Sequence, residues 1–304
     1  MGGPLSAIKR GVTIGCMAAE LIDGQALAKA IEQEVRDRAA AMSRPVHLTA
    51  ILVGGTPAGE LYANRQANAC QSVGIDYELL KLPADVSADK LTQEIHRLNV
   101  DPAVTGIMMH LPLPPHLDAA RMQYEIEPVK DVEGVNPANI GYVVYGHTLI
   151  APCTALAVIE LIKSTRVPIR GAEAVVVGAS EIAGKPIALL LAEQMATVTL
   201  CHIATRDLQQ HTRRAEILVV AVGKAGLIGA DHVKGGAVVI DVGINRVAQP
   251  DGTKKTVGDV DFDAVRPMAA HVTPVPGGVG PMTVAMLLRN TLRSAEILAA
   301  SATQ

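Results

Sequence analysis

The sequence predicts an α/β protein of two lobes, each built around a parallel sheet. Strand-like apolar runs alternate with amphipathic segments along nearly the whole chain, the order that parallel strand–helix–strand units produce. After Pro152 the character changes, and a Val-rich run, Val175-Val176-Val177, leads into a glycine-bearing turn. Bulk composition agrees: 304 residues, 49% hydrophobic and 19% charged, suffice for one large domain or two ordinary ones.

The elements follow in order. Gly24–Met42 reads as a helix, with apolar Leu27, Ala30, Ile31, Val35 and Ala39 at helical spacing. His47–Val53 is a strand. Thr56-Pro57 starts a helix, a hydroxyl to cap free N–H groups and then a proline whose missing donor costs nothing. That helix runs to about Ser72, where Gly74 closes it in a left-handed conformation. Tyr77–Leu82 is a strand, Ser87–Leu98 a helix, Gly106–His110 a strand and His116–Ile126 a helix, before a Gly/Pro/Asn-rich loop from Pro128 to Gly141. Thr154–Ser164 is a connecting helix. Ala174–Gly178 is a buried strand, Lys185–Gln194 a helix, and Thr197–Cys201, Ile217–Ala221 and Ala237–Val242 complete a nucleotide-binding type of sheet. Met282–Ala300 is a final amphipathic helix. The lobe boundary falls near Pro152, with a second crossing near Pro281.

Composition excludes several function classes. A net charge of −3 argues against nucleic acid or an acidic membrane as partner. With no Trp, one Phe (Phe262) and five Tyr, the core is aliphatic and base-stacking platforms are not expected. Cys16, Cys70, Cys153 and Cys201 are far apart, so neither a metal site nor a disulfide framework is expected, and reduced thiols in a cytoplasmic protein is the plain reading. No apolar run approaches the roughly 20 residues that span a bilayer. Lys9 and Arg10 before Val12–Met17 outline a signal peptide, but the run is short and breaks at Glu20. Residues 1–16 are read as a flexible extension, with Met17 as an internal start.

The second lobe opens with Gly178-Ala179-Ser180-Glu181-Ile182-Ala183-Gly184-Lys185-Pro186 between a strand and a helix. Backbone N–H groups and the helix dipole at such a turn attract a pyrophosphate. Ser180 replaces the second glycine of the usual motif and Gly184 lies one residue late, so a plain tight turn competes with that reading. An NAD site places an acid about 20 residues on, at the end of the second strand. Here that stretch is Cys201-His202-Ile203-Ala204-Thr205-Arg206, without an acid until Asp207. Arg206 suits a 2′-phosphate or is a solvated charge, and NAD against NADP stays open. In the first lobe, Tyr62 and Gln66 share a helix face, and His110 ends a strand, where open α/β sheets bind ligands. Taken singly they read as a boundary residue, a surface amide and a loop cap. Asp131 and Glu133 read as a solvated turn, and Asp259 and Asp261 as turn residues.

At Pro274–Val284 the run Pro-Val-Pro-Gly-Gly-Val-Gly-Pro-Met-Thr-Val resembles the signature of the bifunctional methylenetetrahydrofolate dehydrogenase/methenyltetrahydrofolate cyclohydrolases. Such a run makes a rigid loop of bare backbone that lies against a flat ligand. Val53-Gly-Gly-Thr-Pro57 with Tyr62, Leu111-Pro-Leu-Pro114, Lys130-Asp-Val-Glu-Gly134, Pro152-Cys-Thr154, Gly178-Ala-Ser180, Ala221-Val-Gly-Lys224 and Val239–Arg246 fall at the family's other landmarks. The likeness covers roughly Leu21 to Glu296. It implies a folate-binding catalytic lobe of 1–153 plus 282–304, a Rossmann-like NAD(P)-binding lobe of 154–281, and a homodimer. It implies tetrahydrofolate contacts from Tyr62, Gln66, Met109, His110, Leu111, Glu133, Pro276, Gly277, Gly278, Val279, Gly280, Pro281 and Thr283, with Tyr62, Gln66, His110 and Glu133 as the catalytic set. Cofactor contacts are implied for Gly178, Ala179, Ser180, Ile182, His202, Ile203, Thr205, Arg206, Ala221, Val222, Gly223 and Ile244.

The chain departs from the family at the positions that serve the second reaction. The family's Lys four residues after the Tyr is Gln66, its Gln before Leu-Pro-Leu-Pro is His110, and its Asp of Asp-Val-Asp-Gly is Glu133. An amide does not titrate, and Arg65 stays protonated, so neither replaces a proton-passing lysine. Hydride transfer needs mainly alignment, which an uncharged site provides. The expectation is oxidation of 5,10-methylenetetrahydrofolate with NAD(P)+, the cyclohydrolase weak or lost. The alternatives are a fully bifunctional enzyme with His110 as base and a non-catalytic folate-binding protein. Ala179 and Ile203 stand where the family has an Arg and a Ser that hold a 2′-phosphate, a slight lean to NAD.

Overall fold

The computed structural model describes residues 19–55, 57–249 and 252–301. The readings of residues 1–16 and of Thr56 as a helix cap lie outside them. Glu20–Leu21 form a short strand, β1, and the Asp23 carboxylate then caps α1 (Gly24–Ala40) by accepting from the N–H of Gln25 and Ala26. β2 (His47–Val53), α2 (Pro57–Ser72), β3 (Asp76–Leu82), α3 (Ala88–Val100) and β4 (Gly106–Met109) fall within two residues of expectation. β2 pairs in parallel with β3 on one side and β4 on the other, giving a three-stranded sheet. Its alternating side chains face two layers. Leu48 and Ala50 pack with Val35 of α1, and Ile51 and Val53 with Leu91, Ile95 and Leu98 of α3.

Two local expectations need correction here. α4 (Ala119–Tyr124) is shorter than the expected His116–Ile126 because Asp118 caps it. The stretch expected to be loop as far as Gly141 contains α5 (Pro137–Val144): the Asn136 side chain caps Ala138 N at 2.8 Å and Pro137 occupies the first turn. An Asn-Pro pair reads equally as loop or as helix start.

α6 (Cys153–Ser164), β5 (Glu173–Val177), α7 (Gly184–Glu193), β6 (Thr197–Cys201), α8 (Leu208–Thr212), β7 (Ile217–Val220) and β8 (Val238–Asp241) build the second sheet with its helices. A hairpin, β9 (Asn245–Ala248) and β10 (Lys254–Val257), a short α9 (Phe262–Val265) and β11 (His271–Val272) follow, none of them anticipated. The sheet is parallel throughout, in the order β1-β11-β8-β7-β5-β6. Its edge strand β1 comes from the start of the chain, across the lobe division expected from the sequence.

α10 (Val279–Ser301) begins three residues before the expected Met282. Pro281 sits in its first turn, where a missing N–H leaves no bond unmade. Val279, Met282 and Met286 pack into the core of the six-stranded sheet, and Leu287, Leu288 and Leu292 into that of the three-stranded sheet. One helix is therefore shared by both cores. Asn290 on it donates to the carbonyls of Val132 and Ala151, both at 2.9 Å, stapling the loop after β4 to the entry of α6.

Candidate active site

The carboxyl edge of the three-stranded sheet carries the first cluster. Ile51 pairs with Met109, and His110 N donates to Ile51 O (2.9 Å), so His110 leaves the edge of β4 beside the end of β2. α2, which carries Tyr62 and Gln66 four residues apart, departs from that same edge. His110 is buried, and Tyr62 is exposed at 64%.

The loop carrying Glu133 docks on this edge through its own buried charges. Ile107 N donates to Lys130 O (2.8 Å). The buried Lys130 Nζ donates to the carbonyls of Leu98 (2.9 Å) and Asp101 (2.7 Å), capping the end of α3. Asp131 accepts from Gly134 N (3.1 Å), Asn136 N (2.7 Å) and Asn139 Nδ2 (3.1 Å). The solvated turn expected for this segment is thus wrong: Lys130 and Asp131 are 4% and 1% exposed, and they organise the loop. Gly134, at φ +71°, turns the chain where a Cβ would come within 2.3 Å of the Ala151 carbonyl carbon.

This construction sets Glu133 against the end of β4, with Met109 N donating to its Oε2 at 3.4 Å. Burial first, then the negative charge of Asp131, pushes the Glu133 carboxyl up to about 7, the Met109 N–H pulling the other way. Burial alone holds the His110 imidazole below its ordinary range. Burial also keeps the nearby Cys153 thiol protonated, a tendency that Glu133 and Asp131 reinforce. Gln66 Oε1 and His110 Nε2 are both buried without a hydrogen-bond partner. Among the described residues no hydrogen bond joins Tyr62, Gln66, His110 and Glu133 to one another. Buried polar atoms without partners are costly, and a ligand that pairs with them removes the cost.

The glycine run joins the two sheets. It leaves β11 at Val272 and crosses Pro274 and the cis Val275-Pro276 peptide to reach α10. Gly24 needs its bare Cα, since a Cβ would lie 1.9 Å from Gly278 O. Only part of the run is the open loop expected from the sequence. Leu111 and Pro276 are exposed, while Gly278 and Val279 are buried against α1 and the core. Gly280, Pro281 and Thr283 belong to the first turn of α10, where Thr283 Oγ1 donates to Gly280 O (2.7 Å).

At the carboxyl edge of the six-stranded sheet the strand–turn–helix unit forms as expected. A Cβ on Gly178 (φ +114°) would lie 2.1 Å from Ala221 O, and one on Gly184 would lie 1.8 Å from Gly178 O. The backbones of β5, β7 and α7 therefore meet without intervening side chains, as a dinucleotide cradle requires. Ser180 Oγ accepts from Gly184 N (3.4 Å). After β6, His202 N donates to Thr205 Oγ1 (2.8 Å) and Ala204 N to His202 Nδ1 (3.2 Å), which ties both side chains into their own turn. Ile203 is fully exposed and Arg206 is exposed without an ion pair among the described residues. Ala179 is half-buried, whereas Ile182 and Ile244 stand out into solvent at the same edge.

Val222 N and Gly223 N donate to Asp259 Oδ2 at 2.7 and 2.9 Å, and Asn245 Nδ2 to Oδ1 at 2.8 Å. Asp259, read from sequence as a turn residue, is completely buried and holds this loop. Asp241 beneath it accepts from Gly243 N (3.0 Å), Asp259 N (2.9 Å) and Val260 N (2.9 Å). Burial pushes Asp241 up to about 6 against those donors. The signal for this pair lay in the glycines. A Cβ on Gly258 would lie 1.8 Å from Asp241 Oδ2, and one on Gly243 2.2 Å from Asp259 Oδ1. Asp261 is a turn residue as expected, capping α9 through Ala264 N (3.2 Å). Among the described residues no group of His, Cys, Asp or Glu could hold a metal ion, and no helix is long and apolar enough to cross a membrane.

Two family models match this chain, one for each part. The model of the tetrahydrofolate dehydrogenase/cyclohydrolase catalytic domain matches residues 22–133, and that of the same family's NAD(P)-binding domain matches 152–299. The chain is 50% identical over 283 residues to the bifunctional protein FolD of Cupriavidus necator, covering 92% of this chain and 99% of the relative. It is also 50% identical to the bifunctional protein FolD 2 of Mesorhizobium japonicum, covering 89% and 90%. The structure of the FolD methylenetetrahydrofolate dehydrogenase/cyclohydrolase of Campylobacter jejuni aligns with a TM-score of 0.87 at 41% identity, covering 92% and 99%. The Trypanosoma brucei FolD structure, complexed with NADP cofactor and inhibitor, aligns at 0.86 and 41%, covering 92% and 98%.

Proposed function

The chain belongs to the tetrahydrofolate dehydrogenase/cyclohydrolase family, and from that premise we propose that it oxidises 5,10-methylenetetrahydrofolate to 5,10-methenyltetrahydrofolate with weak or lost cyclohydrolase activity. The observation that carries this reading is Gln66. Its amide stands where the family has a lysine, and its buried Oε1 has no partner. A lysine in a closed cleft passes protons to and from water, and an amide orients a ligand without titrating. Exposed Arg65 is no substitute, because its guanidinium stays protonated.

In this reading the folate lobe comprises residues 1–153 plus 282–304, less the strand β1 that joins the other sheet, and the cofactor lobe 154–281. Tyr62, Gln66, Met109, His110, Leu111 and Glu133 hold the reacting end of the folate, and the exposed part of the glycine run lies against it. The nicotinamide dinucleotide, when bound, supplies the hydride acceptor. Gly178 and Gly184 let backbone approach its pyrophosphate, and Ile182, Val222 and Ile244 offer it apolar surface. Ala179 and fully exposed Ile203 offer no charge or hydroxyl to a 2′-phosphate. This supports a lean to NAD over NADP, with exposed Arg206 as a cation in the same turn. We place the enzyme in the cytoplasm as a homodimer.

Absorbance tests this reading. Purified protein with methylenetetrahydrofolate and either NAD+ or NADP+ should build up methenyltetrahydrofolate beyond its spontaneous hydrolysis. Rapid enzyme-dependent clearance of added methenyl compound would sink the lost-cyclohydrolase reading. Gln66→Lys should gain cyclohydrolase activity of about a hundredfold or more, the usual range for one positioned acid–base group. A second reading, a fully bifunctional enzyme, draws on His110, whose unpartnered buried Nε2 is placed to take a proton. Burial lowers the basicity of that imidazole, which weighs against it.

A further inference from the structure

A chain of buried polar contacts runs from the glycine run to the Val222–Gly223 loop. Thr273, the residue before that run, is 1% exposed and lies directly against it: a Cβ on Gly278 would come within 2.8 Å of the Thr273 Cβ. The Thr273 N–H donates to Val239 O at 3.1 Å, and its Oγ1 accepts from Asp241 N at 2.8 Å. The Asp241 carboxylate in turn accepts from Asp259 N and Gly243 N through Oδ1 and from Val260 N through Oδ2. Asp259 completes the chain by holding Val222 N, Gly223 N and the Asn245 amide. Thr273, Asp241 and Asp259 are all buried. A buried network whose members have partners is stiff, because any displacement strands a donor or an acceptor away from water.

The ends of this chain meet the two surfaces proposed above for the reactants, the glycine run for the folate and Val222 with Ile244 for the dinucleotide. Resting on that reading, we infer that Thr273, Asp241 and Asp259 are positioning residues, a buried strut that fixes the Val222–Gly223 loop relative to the glycine run and so sets the span of hydride transfer. The hydride leaves a bridge C–H bond of the folate with both electrons, which oxidises the folate and reduces the nicotinamide. Such a step needs its two carbons held within a narrow range, and a misplacement of about 1 Å slows it about a hundredfold. The strut residues act through the backbone they hold: Gly243 and Asn245 flank Ile244, and Val222 and Gly223 are gripped by their own N–H groups. Thr273 and Asn245 share no hydrogen bond with each other, so any coupling between them passes through the two aspartates.

Single-turnover stopped flow, following reduced nicotinamide with saturating methylenetetrahydrofolate and NAD+ or NADP+, reads the hydride step. Thr273→Val keeps the side-chain shape and removes the acceptor for Asp241 N. It should slow the step about tenfold or more, with steady-state KM for each ligand within about twofold of wild type. Thr273→Ser keeps the hydroxyl and should keep the wild-type rate. Asn245→Ala, at the half-buried far end, should also slow the step. The double variant should be no slower than the slower single one, because a shared strut is lost only once, whereas independent defects multiply. Thr273→Val at the wild-type rate, a raised KM with kcat unchanged, or slowdowns that multiply overturn the inference and leave the dehydrogenase reading intact. If Thr273→Val does not fold, Asn245→Ala decides, and a wild-type rate there overturns the strut. If the wild-type protein forms no reduced nicotinamide with either cofactor, the dehydrogenase reading fails and the inference with it.

Discussion

The two carboxyl edges of the molecule treat their polar groups in opposite ways. At the three-stranded sheet, Gln66 Oε1 and His110 Nε2 are buried without partners, and Glu133 has one long hydrogen bond. At the six-stranded sheet the buried polar side chains are occupied: Asp259 with Val222, Gly223 and Asn245, and Asp241 with three backbone N–H groups. The first edge holds buried groups left without partners, and the second uses its side chains to fix shape and presents backbone. Proton chemistry can therefore be changed at the first edge by three substitutions without disturbing the cradle at the second.

Removing an occupied group should do the most damage. Asp259→Ala strands three donors that now share one buried carboxylate, at a cost of about 4 kcal/mol from charge-assisted hydrogen bonds. Urea unfolding should show that loss, and reduced-nicotinamide fluorescence should show dinucleotide binding weakened with tetrahydrofolate binding preserved. Equal loss of both ligands would break the comparison, because the two edges would then not be separable.

Removing an unsatisfied group should do the reverse and stabilise. Glu133 loses its proton at about 7 in the folded protein, against an ordinary 4.5. Its folded pKa is raised, so its contribution is full below 4.5 and is lost as pH rises through 7. Wild type should lose on the order of 3 kcal/mol across that window from this group, and Glu133→Gln should not. The variant should therefore melt higher than wild type above neutrality and equal to it in acid. Lower stability of the variant at every pH would mean that Glu133 is a structural group. A binding group that weakens its own fold is the usual trade between activity and stability.

How much of this could be read beforehand depended on whether burial leaves a mark on the local sequence. His47–Val53 and Glu173–Val177 were legible as strands because buried parallel strands are continuous apolar runs. The hairpin of β9 and β10 was not, since exposed antiparallel strands such as Lys254–Val257 carry charge and no apolar run. β1 and β11, two residues each, exist only by pairing with strands far along the chain. Among candidate site residues, Tyr62, Gln66 and His110 stood out by helix face and strand end but read singly as bland, and only the likeness to family landmarks grouped them with Glu133. Asp131 read as part of a solvated turn and Asp259 as a turn residue, because nothing next to an aspartate in sequence says that the chain will close over it. Gly243 and Gly258 carried that information, as positions where a Cβ would strike a carboxylate.

The smallest expected effect lies with the side chains of the nucleotide edge. Ile203 is fully exposed, so Ile203→Ser costs no packing and thermal stability should stay unchanged. If the second edge recognises its ligand mainly by shape, adding a hydroxyl there supplies one new hydrogen bond to a 2′-phosphate, about 1.5 kcal/mol. The ratio of NADP to NAD affinity should rise about tenfold, read from the two cofactors' KM values. A ratio that does not move would place the 2′-phosphate elsewhere, with Arg206 as the group to replace next. A rise far above tenfold would show that this edge, too, reads charge through its side chains.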